Sequence, residues 1–335
     1  MTKTVRQKVG EMNNPSAYIK TARETLETKK ARDKFVEENK HLALQFPIKG
    51  LETKIPPVQI GETAIYGAGS YQGKSLFLKH WMFEMQKKVD VENRRAVIAY
   101  VSHEDTAEMT AAQQLKKYGG NETKYEDDLF LYIGRSFGMK AEEIAEMHMT
   151  NIVQLLEYAR KEKFAEEMPF AMIGYDFIQK TPPDPFRKNV VSDQQRRLQV
   201  ADDMLRLTNA AVQMPCPIVC AAQTGLKSLN TPYSKEMPIP GDGDFEESKE
   251  IYQYADHAYT GWLPRQDYPV GTLVESGNWS FTVKEDLYFI RVLKARYCDP
   301  VEWKGIGKVY PVFIKPDGSF EYDVEYHKSI YKKKQ

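Results

Sequence analysis

An α/β fold with a mostly parallel sheet flanked by helices is predicted by three observations. Short apolar runs that end in polar residues alternate with stretches of helical periodicity between residues 63 and 223. The first of these runs breaks into glycines directly before a helical pattern. No internal repeat or low-complexity tract competes with the alternation.

Composition allows such a fold and narrows its setting. The 335 residues are 41% hydrophobic and 28% charged, enough for one large or two modest cores. No stretch approaches the roughly 18 apolar residues of a membrane span. Residues 1–6 lead into polar sequence where a signal peptide would have its apolar core, so the cytoplasm is the expected compartment. Cys216, Cys220 and Cys298 are sparse, and the first two fall in the apolar run 216–222, which reads as buried thiols with no zinc site and no disulfide. Formal net charge is zero, so a polyanion would have to be met by local patches.

In chain order, Asn14-Pro15-Ser16 starts a helix over residues 17–40, whose apolar points Tyr18, Ala22, Leu26 and Phe35 are widely spaced among charges. It reads either as a solvated helix on its own domain or as an arm docked on a neighbouring subunit. Residues 46–51 mark entry to the core. The expected organisation is a helical arm over 1–44, an α/β domain over 45–325 and a basic tail over 326–335 that closes in Lys332-Lys333-Lys334. Residues 56–60 and 63–66 read as strand and 75–83 as helix; strand 95–101, helix 106–118 and strand 129–133 follow, the last succeeded by another helix. Strand 170–175, helix 192–214 and strand 218–222 continue the pattern, residues 255–262 and 288–292 extend the sheet, and 309–313 with 319–322 form a hairpin about Pro316-Asp317-Gly318.

The glycine-broken stretch Ala68-Gly69-Ser70-Tyr71-Gln72-Gly73-Lys74-Ser75 has the spacing of a phosphate-binding loop, with alanine in first place. Glycines let backbone N–H groups close around phosphate oxygens, Lys74 supplies a point charge to the β- and γ-phosphates, and the Ser75 hydroxyl can ligate Mg²⁺. Its partners are expected at the other strand ends, where a parallel sheet displays its chemistry. Glu104, within Ser102-His103-Glu104-Asp105, can polarise an attacking water, or serve as an acid ahead of the helix starting at Thr106. Asp176 follows the run 171–175 in the manner of an acid that holds Mg²⁺. Gln223 ends the next strand with an amide able to sense a γ-phosphate, and Lys294-Ala295-Arg296 projects two bases the same way at period two.

Taken in order, the loop, Ser-x-Glu, Tyr175-Asp176-Phe177-Ile178-Gln179, Ala222-Gln223, an acidic loop and Lys-x-Arg resemble the ATPase domain of hexameric replicative helicases, the DnaB-like group with a RecA-like core, over residues 45–322. Asp244-Phe245-Glu246-Glu247-Ser248 and Gln253-Tyr254-Ala255-Asp256 match a further family stretch. The resemblance implies that residues 68–75 bind ATP, Lys74 and Ser75 hold phosphate and Mg²⁺, Glu104 is the general base, Asp176 supports the metal, and Gln223 couples hydrolysis to movement. It implies that Lys294 and Arg296 reach into the next subunit of a hexameric ring or spiral, and that single-stranded DNA passes residues 226–250, where Lys227, Lys235 and Lys249 are the available bases. Loader or recruitment proteins are further implied partners.

Two departures stand beside it. The stretch 226–250 carries a net charge of minus three, with Glu246 and Lys249 where the family offers an arginine and a glycine. The 44 residues before the core are short for the additional globular domain such helicases often carry. A recombinase-like or clock-type ATPase, and a nucleotide-switched scaffold that recruits partners without unwinding, are the alternative functions.

Overall fold

The structure, a computed structural model, describes residues 21–38, 42–91, 96–117, 130–163, 169–184, 193–225, 238–246, 250–276, 278–296 and 307–331. The chain divides into two units at residues 42 and 43. In the first, helix α1 (Ala22–Glu38) is charged around most of its surface and leaves Leu26 half exposed. Ion pairs one turn apart line it, among them Arg23 with Glu27 at 3.2 Å, Lys34 with Glu38 at 3.6 Å, and Lys29 with Asp33. Such exposed pairs add only about 0.3–0.5 kcal/mol each.

The second unit is built on a sheet ordered, among the described residues, β11-β10-β9-β6-β1-β5-β4-β2-β3. Its centre is β1 (Thr63–Ala68), flanked in parallel by β5 (Ile218–Gln223) and β6 (His257–Trp262). Beyond β5 lie β4 (Phe170–Asp176), β2 (Val97–Thr106) and β3 (Phe130–Arg135), all parallel. All six residues of β1 and all seven of β4 are buried, as expected of parallel strands covered on both faces. Alternation then sorts the side chains. Tyr66 stacks on Phe77 of helix α2 (Lys74–Val91) at 4.1 Å, within a cluster that includes Phe46, Trp81 and Tyr259. Ile65 points the other way, into a core with Ile152 and Leu156 of a helix over Met149–Tyr158 and with Val200, Met204 and Leu207 of a helix over Asp193–Gln213.

Three sequence expectations are corrected. Residues 56–60 are not a strand: only Val58 bridges to Leu44, because Pro56 and Pro57 cannot donate to a ladder. The strand expected at 288–292 is longer, β9 (Leu287–Ala295), and runs antiparallel to β6. A parallel return needs a helix-long crossover, whereas a two-stranded ribbon, β7 (Leu273–Ser276) and β8 (Trp279–Thr282), occupies the connection. The hairpin of β10 (Val309–Ile314) and β11 (Phe320–Tyr322) forms as expected. Residues 326–335, expected as a tail, are helical as far as Ile330. That helix, Val324–Ile330, is capped by Asp323, whose carboxylate accepts from the N–H groups of Glu325 and Tyr326 at 2.9 Å. Its Ile330 closes a second core with Trp262, Phe281 and Phe289. No helix among the described residues is long and apolar enough to cross a membrane.

Candidate functional site

The carboxyl ends of β1, β2, β4 and β5 converge on one edge of the sheet, the position where parallel sheets expose chain ends. The loop leaving β1 turns through Tyr71 and Gly73, both at positive φ (60° and 81°), and enters α2 at Lys74. Positive φ is costly for tyrosine and free for glycine. Tyr71 projects 89% exposed, while Gln72 is buried, its amide 3.3 Å from the Asp267 carboxylate. The Gln72 carbonyl accepts from the Tyr288 hydroxyl at 2.9 Å, and the Tyr66 and Tyr288 hydroxyls lie 2.7 Å apart. With the Tyr288 proton committed to Gln72, Tyr66 is the donor of that pair. Burial raises the pKa of both phenols, which keeps them protonated.

Lys74 is brought to within 3.5 Å of the Glu104 carboxylate, and its ammonium lies 4.1 Å over the Phe177 ring. Glu104 is on β2, which continues to Thr106; the acid in the first turn of the following helix, Ala107–Lys117, is Glu108. Glu104 thus lies within the strand, ahead of that first turn. Ser102 shapes the turn, its hydroxyl accepting from the N–H groups of Glu104 at 3.2 Å and Asp105 at 3.0 Å. Gln223 reaches the loop directly, donating to the Ser70 hydroxyl at 3.0 Å.

Asp176 is fully buried at the end of β4. Its Oδ2 accepts from the Tyr100 hydroxyl at 2.8 Å, whereas its Oδ1 has no hydrogen-bond partner. Burial pushes its carboxyl above the usual range, against the pull of the Ser75 and Tyr100 hydroxyls and the Lys74 charge. An orphaned, buried carboxylate oxygen beside a serine hydroxyl fits a hard divalent cation. Among the described residues no group of three or more His, Cys, Asp or Glu is placed to hold a metal, so such a cation would draw on Ser75, water and phosphate oxygens as well.

Lys294 and Arg296 are not brought to this edge. Antiparallel β9 carries Lys294 to the opposite end of the strands, where it pairs in register with Ala258. The Lys294 ammonium donates to the carbonyls of Tyr252, Gln253 and Ala255 at 2.6–3.1 Å, closing the end of the short helix Glu250–Tyr254. Burial, then the Arg296 charge, lowers its pKa. Arg296 pairs with Asp256 at 3.0 Å. Lys227, Lys235 and Lys249 lie outside the described residues, as does Cys298. Cys216 and Cys220 are free, buried thiols.

Sequence reasoning assigned no role to Tyr100, Lys79 or Gln179. The Tyr100 hydroxyl also lies 3.3 Å from the Asp105 carboxylate, with which Lys79 pairs at 2.5 Å. A tyrosine inside an apolar run carries no local sign of a carboxylate partner 76 positions away. Close packing under the loop gives a direct expectation. A Cβ on Gly67 would stand 2.6 Å from the Phe245 ring and 2.8 Å from the Thr224 methyl. Gly67→Ala is therefore expected to destabilise the fold by about 1–3 kcal/mol in urea denaturation; a parent-like midpoint would show that Phe245 moves aside freely.

No family model matches the chain, and no curated protein matches it. Among solved structures it is similar to a DnaB-like replicative helicase, described together with its interactions with primase, at 10% sequence identity and a TM-score of 0.57. The similarity covers 84% of this chain, which spans 63% of the length of that one. At this identity the likeness is one of fold.

Proposed function

We propose that this chain is a RecA-like ATPase, the hydrolysing core of an oligomeric motor that acts on single-stranded DNA in the manner of a DnaB-like helicase. The observation that carries the reading is the convergence of Lys74, Glu104, Asp176 and Gln223 at one end of adjoining strands. In this reading residues 68–75 cradle the phosphates of ATP, and Lys74 places its charge against them. Glu104 accepts a proton from the attacking water, and Gln223 orients the loop through Ser70. Ser75 and Asp176 would hold Mg²⁺, whose chemistry is to neutralise charge on the phosphates. Subunits would form a hexameric ring or spiral, with Lys294 and Arg296 serving a neighbouring site. ATP hydrolysis measured with and without single-stranded DNA tests the proposal: stimulation supports a motor, and turnover indifferent to DNA overturns it.

A second reading, an ATP-switched scaffold that recruits proteins, is favoured by one observation. The described part of the candidate DNA loop, residues 238–246, carries Asp242, Asp244 and Glu246 and no lysine or arginine. The expected result under the first reading is weak DNA binding at physiological salt that improves with ATP. Replacing Lys227, Lys235 and Lys249 together by glutamate in a normally assembling protein should then remove it, since few positive groups would carry the backbone contact. Unchanged affinity at matched ionic strength would place the contact elsewhere, and a parent that binds no DNA would put the scaffold ahead.

A further inference from the structure

Residues 223–225 and 244–246 form the two limbs of an excursion from the end of β5. Gly225 N donates to the Asp244 carbonyl at 2.7 Å, Glu246 N to the Gln223 carbonyl at 3.0 Å, and Thr224 and Phe245 form an antiparallel bridge. The Gln179 side chain, buried to 8% exposure, lies across both limbs. Its Oε1 accepts from Gln223 N at 3.0 Å, and its Nε2 donates to the carbonyls of Gln223 at 3.0 Å and Glu246 at 3.3 Å. The β4–β5 ladder stops at Tyr175 and Cys220, three positions before Gln223, while the far side of Gln223 is paired with Ala68 of β1. The carboxamide thus exchanges two hydrogen bonds with one residue, as a neighbouring strand would, at a point where β4 no longer does. Gln179 is itself held: the Arg196 guanidinium donates to its carbonyl and, at 3.1 Å, to that of Thr181.

We propose that Gln179 is a positioning residue that pins the base of this excursion to the end of β4, so that Gln223 at the phosphate loop and residues 244–246 keep one fixed relation. The inference rests on the nucleotide-site reading above for its consequence in turnover, but not for its geometry. Its function would be to make displacement at the candidate DNA loop and displacement at Gln223 a single event, since neither limb can shift without breaking bonds to the same amide.

The test compares full-length parent, Gln179→Met and Gln179→Glu by amide hydrogen exchange and by steady-state ATP hydrolysis. Methionine removes every hydrogen bond of the carboxamide; glutamate keeps an acceptor for Gln223 N–H but turns a carboxylate toward two carbonyl oxygens. In Gln179→Met the amides of Gln223, Gly225 and Glu246 should exchange about five- to tenfold faster, the loss of roughly one net hydrogen bond, while those of residues 64–67 stay unchanged. In Gln179→Glu the Gln223 amide should remain protected and the Gly225 and Glu246 amides should not. KM for ATP should stay within about twofold of the parent in both variants while kcat falls, the mark of a group that acts on turnover and not on binding. Unchanged exchange at all three amides in either variant that folds, or acceleration spread evenly along β4 and β5, would overturn the proposal. A parent without ATPase activity would refute the nucleotide reading, and the exchange comparison would still decide the pin.

Discussion

Glu104→Gln is expected to bind ATP as tightly as the parent and to hydrolyse it at least about 10²-fold more slowly, the usual contribution of a positioned general base. The substitution preserves shape and removes only the ability to take a proton. Glu104 suits that task because its side chain is 41% exposed and 3.5 Å from Lys74, on a turn set by Ser102. Lys74→Ala differs in kind, since it removes the charge that the proposed function sets against phosphate, and it should weaken nucleotide binding itself. Titration calorimetry with ATP followed by single-turnover hydrolysis separates the two. Hydrolysis at the parental rate in Glu104→Gln would return this residue to a structural role.

Arg296→Ala should lose about 10³-fold or more in kcat if its guanidinium stabilises the transferring phosphoryl group, as arginine fingers do. Geometry within one chain forbids that contact. Arg296 binds Asp256, whose other carboxylate oxygen accepts from Thr63 N at 2.9 Å, at the start of β1; the phosphate loop leaves its far end. Six residues of strand separate them by about 16 Å. Mixing inactive Lys74→Ala with inactive Arg296→Ala should therefore restore activity, because some interfaces then join an intact loop to an intact finger. Absence of recovery, once subunit exchange is demonstrated, would remove Arg296 from the reaction.

Legibility in the sequence follows the range of each interaction. The run 170–175 ending in Asp176, and the glycines before Lys74, could be read because burial, periodicity and turn chemistry are local. The partners that shape the site are distant: Gln179 meets Gln223 across 44 positions, and Tyr100 meets Asp176 across 76. Direction was lost for the same reason, since β9 has strand composition whichever way it runs. Lys294 and Arg296 meet Tyr252 and Asp256 respectively, and a period of two says nothing of which end of the sheet such a pair occupies. The ribbon β7–β8 pairs only with itself, outside the main sheet, in the connection between β6 and β9. At the C-terminus the lysine run drew attention from Asp323, a good helix cap.

The hydroxyl of Tyr288 on the Gln72 carbonyl ties the loop after β1 to a strand made 216 residues later. Synthesis proceeds at about 5–20 residues per second, so roughly 10 to 40 s pass between translation of the loop and of the tyrosine that anchors it. During that interval β1 lacks β9 and the antiparallel third of its sheet, and the loop lacks one of its fixed points. Under the proposed function, competence to hold phosphate would depend on distant sequence: the nascent chain carries the glycines and Lys74 out of the ribosome early, but the tyrosine that anchors their loop follows only with β9.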